Sequence, residues 1–303
     1  MIFFFAFALG FALSRASTCT VAATMRLVRH RKADWLIGIG VAVCWSAVTL
    51  ALMNISLDGA APTHGTVPIS GALLLASVVM GLGAYLNKAC FIGSVGHISS
   101  GNLSFLATFV GLVAARGLTD QWQVGEVLAQ ELMPNTLAEQ AVYSYGLGAI
   151  FLAGFVYGVF RVIQRRQQAM IALCAMGISA AFVFSMAPDW SYEAWIGRIL
   201  GGNGLSDRFT IELAISGLFL GATISSMRNG RFELKGPALK TTLMCFTGGL
   251  FMGFGAKYAP GGNDTLLLWT IPNFVLYGVI SYGLMVATVA LAVWVEDTLR
   301  AKG

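Results

Sequence analysis

Of 303 residues, 57% are hydrophobic and only 11% are charged, against roughly 25% charged in an ordinary soluble domain. That balance excludes a water-soluble globule and marks an integral membrane protein. The formal charge of +5 calls for no nucleic-acid partner, because basic loops on one face of a membrane supply it.

A hydrocarbon core about 30 Å thick takes about 20 apolar residues per helix. Nine runs meet or approach that length, near 1–24, 34–53, 69–88, 103–116, 140–161, 168–187, 208–228, 239–256 and 272–295. The first run has no basic residues ahead of its apolar stretch, so it reads as a retained anchor with its N-terminus outside, not as a cleaved signal peptide. Within it Arg15 precedes Cys19 by four residues in "GFALSRASTC", and one helical turn is expected to put both on one face. A charge inside a span is a functional candidate; snorkelling toward the inner surface is the alternative.

The third and fourth runs enclose "MGLGAYLNKACFIGSVGHISSGNLSFL", residues 80–106. A plain spanning helix gains nothing from a cysteine followed by Gly93 and Gly96, and a solvent loop is not this apolar. Glycine permits sharp turns and close helix approach, and irregular backbone at membrane depth is tolerated only against protein or a polar cavity. Residues 87–102 are therefore expected to form a re-entrant segment lining a pathway. Cys90 sits where the helix must break; an inert, packed thiol is the alternative. Lys88 flanks the motif, and Asn102 offers an amide at its close or caps the next helix.

Chain over chain, "MGLGAYLNKAC" at 80–90 falls on "MGFGAKYAPGG" at 252–262, so that Met80, Gly81, Gly83 and Ala84 recur as Met252, Gly253, Gly255 and Ala256. The same displacement of 172 carries the first four apolar runs onto the last four and leaves 140–161 as connector. An offset of five spans inverts one half relative to the other, as in many transporters. Residues 1–139 are read as the first repeat with an outer connection, 140–167 as a connecting span and 168–303 as the second repeat. Residues 257–272 are then the counterpart re-entrant segment, with Lys257 at its mouth and Gly262 and Asn263 at its turn. Helix starts at such places expose free N–H groups that suit anions.

With Met1 outside, fourteen of nineteen Lys and Arg fall on the inner side: Arg26, Arg29, Arg31, Lys32, Lys88, Arg161, Arg165, Arg166, Arg228, Arg231, Lys235, Lys240, Arg300 and Lys302. The positive-inside bias puts the C-terminus in the cytoplasm. Five cysteines, an odd number scattered through apolar runs, make no extracellular disulfide framework. Cys44 and Cys174 read as packing. His97 follows Cys90 by seven residues, and two ligands make no zinc site. ATPase and hydrolase motifs are absent from the sequence, and neither a metal nor a cofactor is expected. Glu212 is the only acidic residue clearly within a run.

The combination of "GFALSRASTCTVAA", "NKACFIGSVGHISSGNLSFL", "SSMRNGRFELKG" and "GGLFMGFGAKYAPGGNDTLLL" resembles the YeeE/YedE family of bacterial sulfur-compound transporters, which includes thiosulfate permeases. The resemblance implies an all-α integral membrane protein of about nine transmembrane helices plus short re-entrant helices, its two inverted repeats forming an hourglass. It implies a bacterial inner-membrane transporter, not an enzyme, that takes up thiosulfate or a related small sulfur anion through thiol hydrogen bonds. Cys90 matches the family's central cysteine and Cys19 its N-terminal R-x-x-x-C element. Cys19 with Arg15 reads as the inner-side contact, Gly93 as lining the pathway, and Asn102, Lys257, Gly262 and Asn263 as the supporting shell. The family usually carries a cysteine where Gly262 stands here, and Asp264 adds a charge expected near the outer mouth. A second reading is a membrane sulfurtransferase component in which a cysteine persulfide passes sulfur to a cytoplasmic sulfurtransferase partner; a third is a membrane subunit that only anchors a partner complex.

Overall fold

The computed structural model describes residues 1–17, 19–56, 67–121, 131–133, 137–165, 168–188, 190–192, 195 and 208–301. Part of the expected outer connection, 122–130 and 134–136 with Glu126, lies outside the described residues, as do Arg166, Arg198 and Lys302. In chain order the elements are α1 (Ile2–Ala16), α2 (Thr20–His30), α3 (Asp34–Ser56), β1 (Ile69–Ser70), α4 (Gly71–Asn87), α5 (Phe91–Ser99), α6 (Leu106–Gln121), β2 (Glu131–Met133), α7 (Leu137–Arg165), α8 (Gln168–Met186), α9 (Arg208–Arg228), α10 (Leu239–Tyr258), α11 (Gly262–Thr265) and α12 (Leu276–Arg300). A single 3-10 turn, Leu103–Phe105, precedes α6, and a π-helical turn, Leu266–Thr270, follows α11. The architecture is all-α apart from the short antiparallel pairing of β1 with β2.

Seven stretches among the described residues are long and apolar enough to cross a membrane: Ile2–His30, Asp34–Ser56, Gly71–Ser99, Tyr145–Gln164, Gln168–Met186, Phe209–Arg228 and Leu276–Arg300. Leu103–Thr119 is a shorter apolar helix. The run at 239–256 forms the 20-residue α10, whose glycines and two lysines lower its apolarity. The chain is a multi-pass membrane protein. Two of the spans are broken. The first run is not one helix: Ser17 takes a left-handed conformation with φ 52°, ending α1, and α2 restarts after Cys19. Gly71–Ser99 breaks at Lys88, with φ 58°.

Helix packing supplies the scaffold. α1 lies against α8 and α9, α3 against α7 and α8, α4 against α10 and α12, and α10 against α6. Lipid tails are as apolar as the helices, so association in a bilayer depends on close van der Waals fit through small residues. At the α1–α9 crossing a methyl group on Gly10 would collide with the Leu218 carbonyl, and one on Gly221 with the Phe7 carbonyl.

Shifted by 172 residues, α4 falls on α10, α6 on α12, α3 on α9 and most of α1 on α8. The contacts exchange with the elements. The α10–α6 pair matches α4–α12, and α1–α9 matches α8–α3. Individual residues follow: a Cβ on Gly83 would lie 2.6 Å from Met252 N and 2.7 Å from Gly248 O, while one on Gly255 would lie 2.5 Å from Met80 Cβ and 2.7 Å from Ala76 O. Positions 83, 252 and 248 are those of 255, 80 and 76 under the same shift.

Gly221→Ala is expected to destabilise the protein by about 1–3 kcal/mol, the usual cost of overpacking, seen as a lower unfolding temperature in detergent. Gly40→Ala, at an exposed position where a Cβ meets no atom within 4 Å, should be neutral or slightly stabilising.

Candidate functional site

The break between α4 and α5 is held open by one buried side chain. Asn87, the last residue of α4, donates from Nδ2 to Ala89 O at 2.7 Å and to Ser94 Oγ at 2.8 Å, and its Oδ1 accepts from Thr108 Oγ1 at 2.8 Å. One amide thus fastens the end of α4 to the loop, to α5 and to α6. Cys90 then stands in extended conformation ahead of α5, fully buried, its carbonyl accepting from Ser94 N at 2.8 Å and Ser94 Oγ at 3.0 Å.

The second break follows α10. Gly261 and Gly262 take φ of 90° and 75°, a region that side chains disfavour, and turn the chain into α11. The turn delivers Asn263 to the first break: its Oδ1 accepts from Phe91 N at 3.1 Å. The first N–H groups of a helix have no partner of their own, and here a residue 172 positions away supplies one. Phe91 and Asn263 are counterparts under the internal displacement, as are Cys90 and Gly262. A Cβ on Gly262 would lie 3.1 Å from the Phe91 ring.

The third break brings Cys19. Its Sγ lies 4.0 Å from Cys90 Sγ, within reach of an S–H···S contact. Gly93 faces it, since a Cβ there would sit 2.7 Å from Cys19 Sγ; the missing side chain gives the thiol its place. α2 is pinned by Thr20 Oγ1 on Tyr282 OH at 2.8 Å, and by Arg29, which binds Asp297 at 2.9 Å and Glu296 at 3.0 Å. Two cavities open onto Cys19. One, of about 450 Å³, is lined by Ser17, Trp35, Arg161 and Gln168 among others; the other, of about 280 Å³, by Ser17, Gly93, His97 and Arg231. Arg231 donates to Ser17 Oγ, so a guanidinium borders the approach to the thiol.

Cys19, Cys90, Gly93, Gly262 and Asn263 therefore meet at one place, and Arg15, Asn102 and Lys257 do not join them. Arg15 does not share a helix face with Cys19, because the left-handed Ser17 ends α1 between them; its guanidinium binds Asn229 Oδ1 and Gln168 Oε1 instead. Asn102 lies at the far end of α5, where its Oδ1 accepts from Ser104 N at 3.2 Å and its strand-like backbone pairs with Lys235. Lys257 is half-buried in the last turn of α10. Asp264, expected to add a charge near the outer mouth, is buried at 5% exposure. Asn87 escapes a reading of the sequence because a polar residue at a helix end looks like an ordinary cap. Its spacing of seven from Ser94 is the available signal.

His97 stacks on Phe105, ring centroids 4.2 Å apart. Among the described residues no three His, Cys, Asp or Glu side chains cluster as metal ligands. The remaining chemistry is that of one buried thiol, Cys90, and one half-buried thiol, Cys19, beside a carboxamide at the meeting point of three broken helices. Thiols are weak hydrogen-bond donors, and the amide offers N–H, so the place can present donors to a small acceptor.

Residues 169–291 match a family model described as sulphur transport. No curated protein matches the chain.

Asn87→Ala leaves the Thr108 hydroxyl and the Ala89 carbonyl without their partner. The cost of such buried orphans is about 1–3 kcal/mol each, and a fall in the thermal unfolding midpoint of the purified protein is the expected outcome.

Proposed function

We propose that the chain is a sulfur-compound transporter of the YeeE/YedE family, a reading supported by the sulphur-transport match over residues 169–291, and that it takes up thiosulfate or a closely related sulfur anion across a bacterial inner membrane. The observation that carries the reading is the Cys19–Cys90 pair, 4.0 Å apart, set where three helices break. Broken helices at membrane depth are the usual place for a transporter's solute site. Neutral thiols donate S–H to the anion without repelling it, whereas thiolates would oppose a dianion. The anion reaches Cys90, passes to Cys19 beside the bare Gly93, and leaves through the cavities bordered by Arg161 and Arg231.

The same reading assigns sides. Arg26, Arg29, Arg31, Lys32, Arg228, Arg231, Lys235, Lys240 and Arg300 lie on α2 and the connection that follows it, on the end of α9, the connection from α9 to α10 and the start of α10, and on the end of α12. The positive-inside bias makes that end cytoplasmic, with the N-terminus outside. The exchange of contacts between α4 and α10, α6 and α12, α3 and α9 and α1 and α8 supports treating 1–139 and 168–303 as inverted repeats joined by 140–167. The Phe91–Asn263 bond is then the waist of an hourglass.

In proteoliposomes, Cys90→Ala is expected to abolish uptake of labelled thiosulfate. Cys44→Ala, which alters a thiol buried against α7, should retain it. Unchanged flux in Cys90→Ala removes the central thiol from the mechanism, and failure of unlabelled thiosulfate to compete with the label removes thiosulfate as the solute.

A further inference from the structure

Three neighbouring side chains at the waist carry polar atoms that the fold does not use. Asn263 Nδ2, Asp264 Oδ1 and Thr265 Oγ1 are all buried without a hydrogen-bond partner, and the residues are 0%, 5% and 4% exposed. Buried polar atoms are normally paired, so three orphans in succession point to something that visits them. One is a carboxyl. The Cβ position of Gly262 lies 3.4 Å from Asp264 Oδ1 and 3.1 Å from Phe91 Cε2, which sets the carboxyl beside the ring at the head of α5, next to Cys90.

The surroundings hold little charge. α11 packs against α5, α10 and the π-helical turn. From α5 the ionisable neighbour is the Cys90 thiol, with His97 two turns further on; from residues 190–192 it is the Tyr192 phenol. α10 carries Lys257 and Tyr258 in its last turn, and Leu266–Thr270 contains no ionisable side chain. The carboxyl has the backbone N–H groups of Asp264 and Thr265 as its support; an ionised carboxylate without a cationic partner is still costly in a membrane and is a functional candidate by default. A protonated one is neutral and can donate a hydrogen bond.

We propose that Asp264 is a proton-binding site at the transport waist, and that a proton taken from the outer aqueous phase crosses with the sulfur anion and is released inside. This rests on the transport reading above and adds its coupling ion. With the carboxyl protonated, a dianion approaches Cys90 without meeting a like charge, and the acid O–H joins the Asn263 amide and the Thr265 hydroxyl as donors. Once the anion has left toward Cys19, loss of the proton to the inner side restores the carboxylate. One proton is bound and one released per cycle, and no covalent bond to sulfur changes.

The test uses the full chain in proteoliposomes. Infrared difference spectroscopy at neutral pH should show a protonated-carboxyl C=O band that Asp264→Asn loses. Uptake of labelled thiosulfate should quicken as the outer pH is lowered, and it should acidify the lumen as read by an enclosed pH dye. No carboxyl band at neutral pH, a band that persists in Asp264→Asn, or uptake without lumen acidification overturns the proposal. Should Asp264→Asn not fold, Asp264→Glu keeps the acid and must shift the band instead. A wild-type protein that shows the Asp264 band but carries no thiosulfate supports the proton site while sinking thiosulfate as the solute.

Discussion

A single hydrogen bond, from the Phe91 amide to the Asn263 side chain at 3.1 Å, joins two of the three places where the helices break. In water such a bond is exchangeable for solvent and worth little; in hydrocarbon no solvent stands ready, and an unpaired amide costs several kcal/mol. A helix can therefore be interrupted at this depth only if another part of the chain comes to meet it. Asn87 closes the remaining groups on one side of the break. The left-handed glycines on the other side bring Asn263 within reach. The thiols of Cys19 and Cys90 are neighbours because these interruptions coincide.

The scaffold that holds the interruptions in place is built from closeness, not from charge. The ion pairs that the structure describes between Arg26 and Asp34 and between Arg29 and the Glu296–Asp297 pair lie at the periphery, with side chains about a quarter to a half exposed. Pairs of that kind contribute about 0–1 kcal/mol. The glycine contacts at the α1–α9 and α4–α10 crossings leave no room for a methyl group, and a close-packed interior is felt at every atom. Because the contacts exchange under one displacement, the fit on one side of the waist is matched by an equivalent fit on the other.

The spans are legible in the sequence because length and apolarity in a bilayer obey a simple rule, and seven stretches meet it among the described residues. The two motifs at the waist are legible as well, since a cysteine among glycines inside an apolar run, echoed by a self-similar segment, signals a broken helix. Spacing misleads for Arg15 and Cys19. Nothing in "RASTC" announces that Ser17 will leave the helical region, and a helical turn is the natural assumption. The burial of Asp264 is not legible either, because an acidic residue after Gly-Gly looks like the edge of water. Asn87 and Tyr282 find their partners through tertiary contact; Thr20 meets Tyr282 across 262 residues, a distance over which local pattern is silent.

Under the internal displacement Gly262 is the counterpart of Cys90 but carries no thiol, and its backbone adopts φ 75° with the Phe91 ring 3.1 Å from where a side chain would begin. The absence of that thiol is thus written into the main chain and the neighbouring aromatic, not into one codon. A cysteine at this position would strain the Gly-Gly turn and push the phenyl group aside by a few tenths of an ångström. The internal displacement thus pairs a thiol with a bare main chain at this point, and the cysteine stands on one side only of the Phe91–Asn263 contact.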